Sequence, residues 1–379
     1  MRVALDATAI PVDRGGVGRY IDDLLPALVR TGIDLSVISQ ERDAAGFARM
    51  VPGADVVTAP PRIAPAGSRL VWEQVGLPSL VRRVGAGVLH SPHYTFPRLA
   101  RVPVTVTLHD ATFFSHPEVH SAVKSRFFRA AIRQAVRGAG SLVVPSEATG
   151  AEVRRYAGGD ARRFHVAHHG VDRGTFHSVD DAERVRVARS LGVDGDYVGF
   201  LGTLEPRKNV PALVRAWTRV AQALPAPPAL VLAGGPGWDT DVEPAIAAVP
   251  AGLQVVRAGY LPLGDLPGFL SGAAVLAYPS LGEGFGLPVL EAMSCGAAVL
   301  TTRRLSLPEV GGDAVAYCDV DEDSIATALA GLLADPARRA GLSRAAVERA
   351  AGFTWDASAA VHVTAYEDAL RQSRRSDAT

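Results

Sequence analysis

The run Glu283-Gly284-Phe285-Gly286-Leu287-Pro288-Val289-Leu290-Glu291 places two carboxylates eight residues apart. Its first half is too rich in glycine for a helix interior. From Leu287 to Cys295 it carries good helix formers, and Gly296 is a natural stop. The segment therefore reads as a loop entering a helix, with Pro288 tolerated in the first turn, where its missing N–H would have no intrahelical partner. Free N–H groups at such a start attract phosphate. Carboxylates flanking that site would repel phosphate and suit sugar hydroxyls instead. A diphosphate between two hydroxyl-rich groups is a nucleotide sugar.

Other segments carry compatible chemistry. Gly202-Thr203-Leu204-Glu205-Pro206-Arg207-Lys208-Asn209 leads into a helix expected over Val210–Gln222. Two cations at a helix start oppose the dipole, and a bound diphosphate would relieve that conflict. The loop around Gly234, in Ala233-Gly234-Gly235-Pro236-Gly237, ends another strand, and Tyr260 and Leu261 could receive a flat base, core packing being an equal explanation for Tyr260. His109-Asp110 ends a strand and is placed to meet a hydroxyl. His90-Ser91-Pro92-His93 has a similar position. Asp13-Arg14-Gly15-Gly16-Val17-Gly18 precedes a helical pattern over Ile21–Arg30, but its spacing is wrong for a dinucleotide fingerprint. Asp194-x-Asp196, Asp239-x-Asp241, Asp319-x-Asp321 and Asp321-x-Asp323 recur too cheaply to mark a metal site and read as loop or capping acids. Adjacent His168 and His169 point apart, so no metal is expected there.

These residues need strands to present them. Candidate strands are Arg2–Asp6, Leu35–Ser39, Val88–His90, Val104–Leu108, Leu142–Pro145 and Phe164–Ala167, then Tyr197–Leu201, Ala229–Ala233, Gln254–Arg257, Ala274–Ala277, Ala298–Thr301 and Ala314–Tyr317. Helical segments between them predict parallel α/β structure in two doubly wound domains. The break is expected within His168–Val185, giving domains 1–170 and 171–353 and a C-terminal helix within 354–379. Open parallel sheets bind ligands at strand carboxyl ends, where the segments above lie.

Composition sets limits. The 379 residues are 48% hydrophobic and 21% charged, ordinary for globular structure, and no apolar run is long enough to span a membrane. An acid at Asp6 argues against a signal peptide, and Cys295 and Cys318 form neither a metal spacing nor a disulfide framework, so a cytoplasmic setting is expected. The zero net charge conceals 21 basic and 14 acidic residues in 1–170, against 39 − 21 = 18 and 39 − 14 = 25 in the remainder. A basic N-terminal half suggests an anionic membrane surface rather than nucleic acid, for which no basic-aromatic motif is present. Val119–Arg137 reads as a helix with Arg126, Arg129, Arg133 and Arg137 on one stripe, either a solvated face or a peripheral membrane contact at the inner face.

Glu283 to Glu291 with Ala292-Met293-Ser294-Cys295-Gly296 resembles the E-x7-E signature of retaining GT-B glycosyltransferases of family four. The likeness extends through Gly15–Gly18, His109-Asp110, Gly170-Val171-Asp172 and Gly202–Asn209. It implies an α/β GT-B fold of two Rossmann-like domains facing an interdomain cleft, acceptor-binding first and nucleotide-sugar-binding second, with the last helix crossing back. By position it implies Arg207 and Lys208 on the donor diphosphate, Glu283 on the donor sugar and Glu291 on the ribose. Phe285, Gly286 and Leu287 would offer N–H groups, Gly15 and Gly16 would face the diphosphate, and His109 would touch donor sugar or acceptor. Thr203 departs from the arginine often found in its place, leaving Arg207 as the second cation.

The resemblance further implies transfer of a hexose with retained configuration, without metal or other cofactor, from a nucleotide diphosphate sugar to a glycan or lipid-linked acceptor. Gly202–Asn209 with Trp72-Glu73-Gln74 and His90-Ser91-Pro92 is similar to mannosyl- and rhamnosyltransferases of cell-surface polysaccharide assembly, which favours GDP-mannose over UDP- or dTDP-sugars. Competing readings are a GT-B phosphorylase or epimerase, or an idle sugar-nucleotide binder. Lys208, Glu283 and Glu291 speak against the last, and the glycine spacing speaks against a dehydrogenase.

Overall fold

A computed structural model describes residues 1–379 apart from 13, 118–119 and 377–379. The chain forms two units, Met1–Gly170 with Thr354–Thr379, and Val171–Phe353. The first contains strands β1 (Arg2–Asp6), β2 (Asp34–Ser39), β3 (Asp55–Thr58), β4 (Val88–Ser91), β5 (Val104–Thr107), β6 (Ser141–Val144) and β7 (Phe164–Val166). The second contains β8 (Tyr197–Leu201), β9 (Ala229–Ala233), β10 (Val255–Gly259), β11 (Val275–Tyr278), β12 (Val299–Thr302) and β13 (Ala316–Cys318). The sheets run β3-β2-β1-β4-β5-β6-β7 and β10-β9-β8-β11-β12-β13, parallel at every pairing. Each thus reverses its strand order once, between β1 and β4 and between β8 and β11. At such a point the loops diverge to opposite faces and leave a crevice at the strands' carboxyl ends.

β8 and β9 are buried at every residue, as expected of apolar runs covered by helices on both faces. β3, a partly exposed edge strand of sequence Asp-Val-Val-Thr, was not anticipated, because four residues with two polar ends carry little pattern.

The last helix, Trp355–Ser376, packs in the first unit against the helix Gly15–Arg30 and strands β4 to β7. Ala359, Ala365 and Ala369 are completely buried, and Gly140 lies so close to Ala369 that a Cβ there would come within 3.0 Å. Small side chains let the backbones approach, and a buried polar chain holds them. His362 Nε2 lies 2.6 Å from the Tyr20 hydroxyl, which is 3.1 Å from Thr107 Oγ1, and Thr107 is 2.8 Å from His90 Nε2. Tyr366 closes the chain at 2.9 Å from His90 Nδ1. His90 is therefore a fully buried core histidine linked to the last helix.

Two helix starts differ from the sequence expectation. The first helix begins at Gly15 rather than Ile21, so the glycines occupy its opening turn; Asp13 lies outside the described residues. The arginine-striped helix spans Ala122–Gly138, and its expected start at Val119 lies outside the described residues. The helix Val210–Gln222 has the bounds expected, and Arg207 and Lys208 stand just before it in a 3-10 turn of their own, Pro206–Lys208, set off by Asn209 at φ 58°.

Candidate functional site

The loops after β8 and β11 meet where the strand order of the second sheet reverses. Lys208 donates to Glu283 Oε1 at 2.7 Å and to the Tyr278 hydroxyl at 2.5 Å. The same Oε1 receives Tyr278 at 3.0 Å and Ser280 Oγ at 2.7 Å, while Oε2 receives Arg207. The three side chains around Oε1, Lys208, Tyr278 and Ser280, are buried, as is Glu283 itself. Burial alone would raise the Glu283 pKa, but Arg207, Lys208 and the hydrogen bonds outweigh it and hold it down to about 2. Lys208 is pushed below the usual lysine range by burial and by Arg207, against the pull of Glu283 and Glu205.

Arg207 is turned onto its own surroundings. One guanidinium nitrogen bonds the Gly282 carbonyl at 2.7 Å as well as Glu283, and the other bonds Glu205 at 2.5 Å. Lys208 keeps 3.9 Å from Glu205, an ion pair without a hydrogen bond. Two cations and two carboxylates thus balance. The dipole conflict inferred for Arg207 and Lys208 is met within the protein by Glu205 and Glu283.

After Glu283 the chain turns through Gly286 at φ 108° into the helix Leu287–Ser294, with no side-chain cap at its start. Ser306 Oγ lies 2.8 Å from the carbonyls of both Glu283 and Phe285 and fixes the loop from below. The Phe285 ring is core, edge-on to Phe353, so only its backbone can serve a ligand. Glu291 sits on the helix and is 2% exposed, more enclosed than a carboxylate waiting openly for ribose.

The loop after β9 closes against the loop after β8. Gly234 has φ 127°, and a Cβ there would meet the Gly202 carbonyl oxygen at 2.1 Å, which admits no other residue without movement. Thr203 beside it is half-buried. Tyr260, after β10, is 66% exposed, so the core-packing explanation fails for it; a Cβ on Gly235 would touch its hydroxyl. Leu261 is the packed neighbour, resting on the core of this unit.

In the first unit, His109 Nε2 lies 2.7 Å from the Pro92 carbonyl. A carbonyl only accepts, so Nε2 carries the hydrogen and a neutral ring presents Nδ1 as an acceptor. Burial lowers the His109 pKa, which favours that neutral ring. Asp110 is not its partner: its carboxylate receives the backbone N–H and hydroxyl of Thr112. Gly15 and Gly16 are exposed, with open space where a Cβ would stand.

Sequence reasoning missed a second polar cluster here. Asp6, Glu73 and His93 gather within 4.8 Å. Their oxygens and nitrogens are engaged by Thr8 on Asp6, Arg69 and Thr95 on Glu73, and Asp6 and Thr95 on His93. Burial would raise the Asp6 pKa, but His93 and Arg69 lower it. A cation already seated on Glu73 makes this a poor vacancy for a metal. Tyr278, Ser280, Ser306 and Glu205 were missed as well. The rule that strand ends face the ligand, applied at β11, would have found the first two.

Surface features resolve simply. Asp321 caps the helix Glu322–Ala334 through the Ser324 N–H, and Asp239 accepts from the Asp241 N–H, as capping and loop acids do. On Ala122–Gly138, Arg126, Arg133 and Arg137 are exposed beside Val123, 82% exposed, and Phe127, whereas Arg129 is anchored to the Phe113 carbonyl. No helix among the described residues is long and apolar enough to cross a membrane.

Residues 14–174 match the family model described as Glycosyltransferase Family 4, and residues 195–335 match that described as Glycosyl transferases group 1. The O-antigen chain mannosyltransferase B of Escherichia coli is 31% identical over 74% of this chain and 74% of its own length. The D-inositol 3-phosphate glycosyltransferase of Mycobacterium avium (strain 104) is 30% identical over 95% of this chain and 90% of its own. Among solved structures, sucrose-phosphate synthase from Thermosynechococcus elongatus superposes with a TM-score of 0.79 at 20% identity, covering 98% of this chain and all of that one, a likeness of fold.

Proposed function

This chain belongs to glycosyltransferase family four and has the GT-B fold, and we propose that it moves a hexose, with retained anomeric configuration, from a nucleotide diphosphate sugar to a glycan or lipid-linked acceptor. The observation that carries the proposal is Lys208, an ammonium buried beside Glu283 at the strand-order reversal. A leaving diphosphate gains negative charge as the C1–O bond breaks, and a fixed cation in a site of low polarity stabilises that charge more than water does. The uncapped start of Leu287–Ser294 adds N–H donors from Gly286 and Leu287. Arg207 supports from beside Glu283, and Thr203 and Gly234 border the diphosphate.

Bond changes on one face of the sugar complete the reading. The acceptor oxygen bonds C1, the C1–O(phosphate) bond breaks, and the acceptor proton passes to the departing phosphate oxygen. No metal or other cofactor takes part. Glu283 orients the sugar end and Glu291 the ribose end, while exposed Tyr260 with Leu261 receives the base. His109 Nδ1 accepts from a sugar hydroxyl. Gly15 and Gly16 offer backbone to an anion.

The identity to a mannosyltransferase supports GDP-mannose as donor, and UDP- and dTDP-sugars are the alternatives. The exposed Val123 and Phe127 among Arg126, Arg133 and Arg137 support peripheral contact with an anionic membrane at its cytoplasmic face. Release of nucleoside diphosphate from GDP-mannose, UDP-glucose and dTDP-rhamnose, with proton NMR of the product's anomeric centre, tests the proposal. Faster release from one donor and a retained anomer are expected; inversion, or release of sugar only with inorganic phosphate, would overturn it.

A further inference from the structure

Lys208 is one of only two lysines in a chain whose other basic residues are arginines. A lysine ammonium differs from a guanidinium in having three tetrahedral hydrogens on one atom. Here two of them are placed by the protein, one toward Glu283 at 2.7 Å and one toward the Tyr278 hydroxyl at 2.5 Å. The third has no hydrogen-bond acceptor among the described residues. Tyr278 is fully buried at the end of β11, its ring packs face to face with Phe200, and Lys208 Nζ stands 5.0 Å from its centroid. The phenol passes its own hydrogen to Glu283 Oε1 at 3.0 Å. Ammonium, phenol and carboxylate therefore form a closed triangle with one N–H left over.

We propose that Tyr278 is a positioning residue for the diphosphate-binding lysine: its hydroxyl takes one ammonium hydrogen so that the third is fixed on the ligand. This rests on Lys208 gripping the donor diphosphate, as proposed above. The phenol suits the task because it is a neutral acceptor. A second carboxylate in its place would hold the ammonium more tightly and compete with phosphate, and a hydrocarbon would leave one hydrogen in the core without a partner, a costly vacancy for a charged group. The charged and titratable groups facing Lys208 are Glu205, Arg207, Glu283 and Tyr278, so removing the phenol oxygen changes one contact and leaves every full charge in place.

The test is a double-mutant cycle with Tyr278→Phe and Lys208→Met, read as calorimetric affinity for whichever of GDP, UDP, dTDP and ADP the wild type binds best. Tyr278→Phe should weaken binding about tenfold beside Lys208 and hardly at all beside methionine, the loss expected for a hydrogen bond to a charged group. Equal losses in both backgrounds would overturn the positioning role. A wild type that binds none of the four would overturn the donor-site reading itself, a distinguishable failure. Donor kcat/KM against pH gives a readout that loosened packing would not move: Tyr278→Phe should bring the alkaline limb to lower pH, and an unmoved limb contradicts the proposal. Should the phenylalanine chain fail to fold, 3-fluorotyrosine at 278 keeps the shape with a poorer acceptor and should give a smaller loss in the same direction; wild-type affinity there would count against the role.

Discussion

Glu283 receives Lys208 at 2.7 Å and Arg207 on its other oxygen, so one buried carboxylate holds both cations of the loop after β8. Breaking a buried charge pair from one side leaves the partner uncompensated, at a cost of about 3–5 kcal/mol. Glu283→Gln should therefore lower Tm by several degrees besides impairing turnover. The pH sign follows from the depressed pKa. Glu283 titrates near 4.5 when unfolded and at about 2 when folded, so its contribution is complete above 4.5 and lost as pH falls from there toward 2. The Glu283→Gln chain should lose less stability across that window in acid denaturation; equal losses would show that the carboxylate is not the anchor.

A second acid-sensitive element lies in the first unit. His362 is fully buried, and burial holds its pKa down to about 4, partly offset by the Ser358 carbonyl. It folds neutral, so the unfolded chain binds its proton first, and stability falls as pH drops from 6.5 toward 4 by about 3 kcal/mol. Hydrogen exchange should show Trp355–Ser376 losing protection in that window. His362→Leu should flatten part of the loss, while costing about 1 kcal/mol at pH 7 for the bond to Tyr20.

Gly234→Ala should damage the site without touching a charge. The added methyl meets the Gly202 carbonyl, and the backbone at φ 127° is strained for any other residue. A stability loss of about 2–4 kcal/mol is expected, with donor KM rising more than kcat falls. An unchanged Tm would mean that the two loops are farther apart than described.

Much of this was legible in sequence, and the exceptions share a cause. β8 and β9 were bounded to the residue because unbroken apolar runs between loop residues leave few alternatives. The helix Leu287–Ser294 followed from Pro288 and Gly296. Tyr278 was overlooked because β11 runs one residue past the apolar stretch ending at Ala277. The helix Val210–Gln222 was bounded to the residue too, but the 3-10 turn that holds Arg207 and Lys208 ahead of it went unseen, since a single turn before Asn209 has no period to detect. The contacts that matter most, Lys208 to Tyr278 and Tyr20 to His362, join residues 70 and 342 positions apart, which only the sheet order brings together.

The membrane proposal makes its own demand. Phe127→Asp with Arg126→Glu and Arg133→Glu replaces exposed side chains only and should leave Tm within about a degree, since surface changes are usually worth under ~0.5 kcal/mol. Flotation with phosphatidylglycerol vesicles should fall severalfold, and wild-type binding of that variant would remove the helix from consideration.

The central claim is that Lys208 grips the diphosphate of a nucleotide sugar. Thermal shift of the wild type and of Lys208→Met with GDP, UDP, dTDP and ADP tests it most directly, because a ligand bound only by the folded state raises apparent stability. One nucleotide should raise the wild-type Tm by several degrees, and Lys208→Met should show a much smaller shift, in keeping with weakened but measurable binding. No shift with any nucleotide, or the same shift in both proteins, would contradict it.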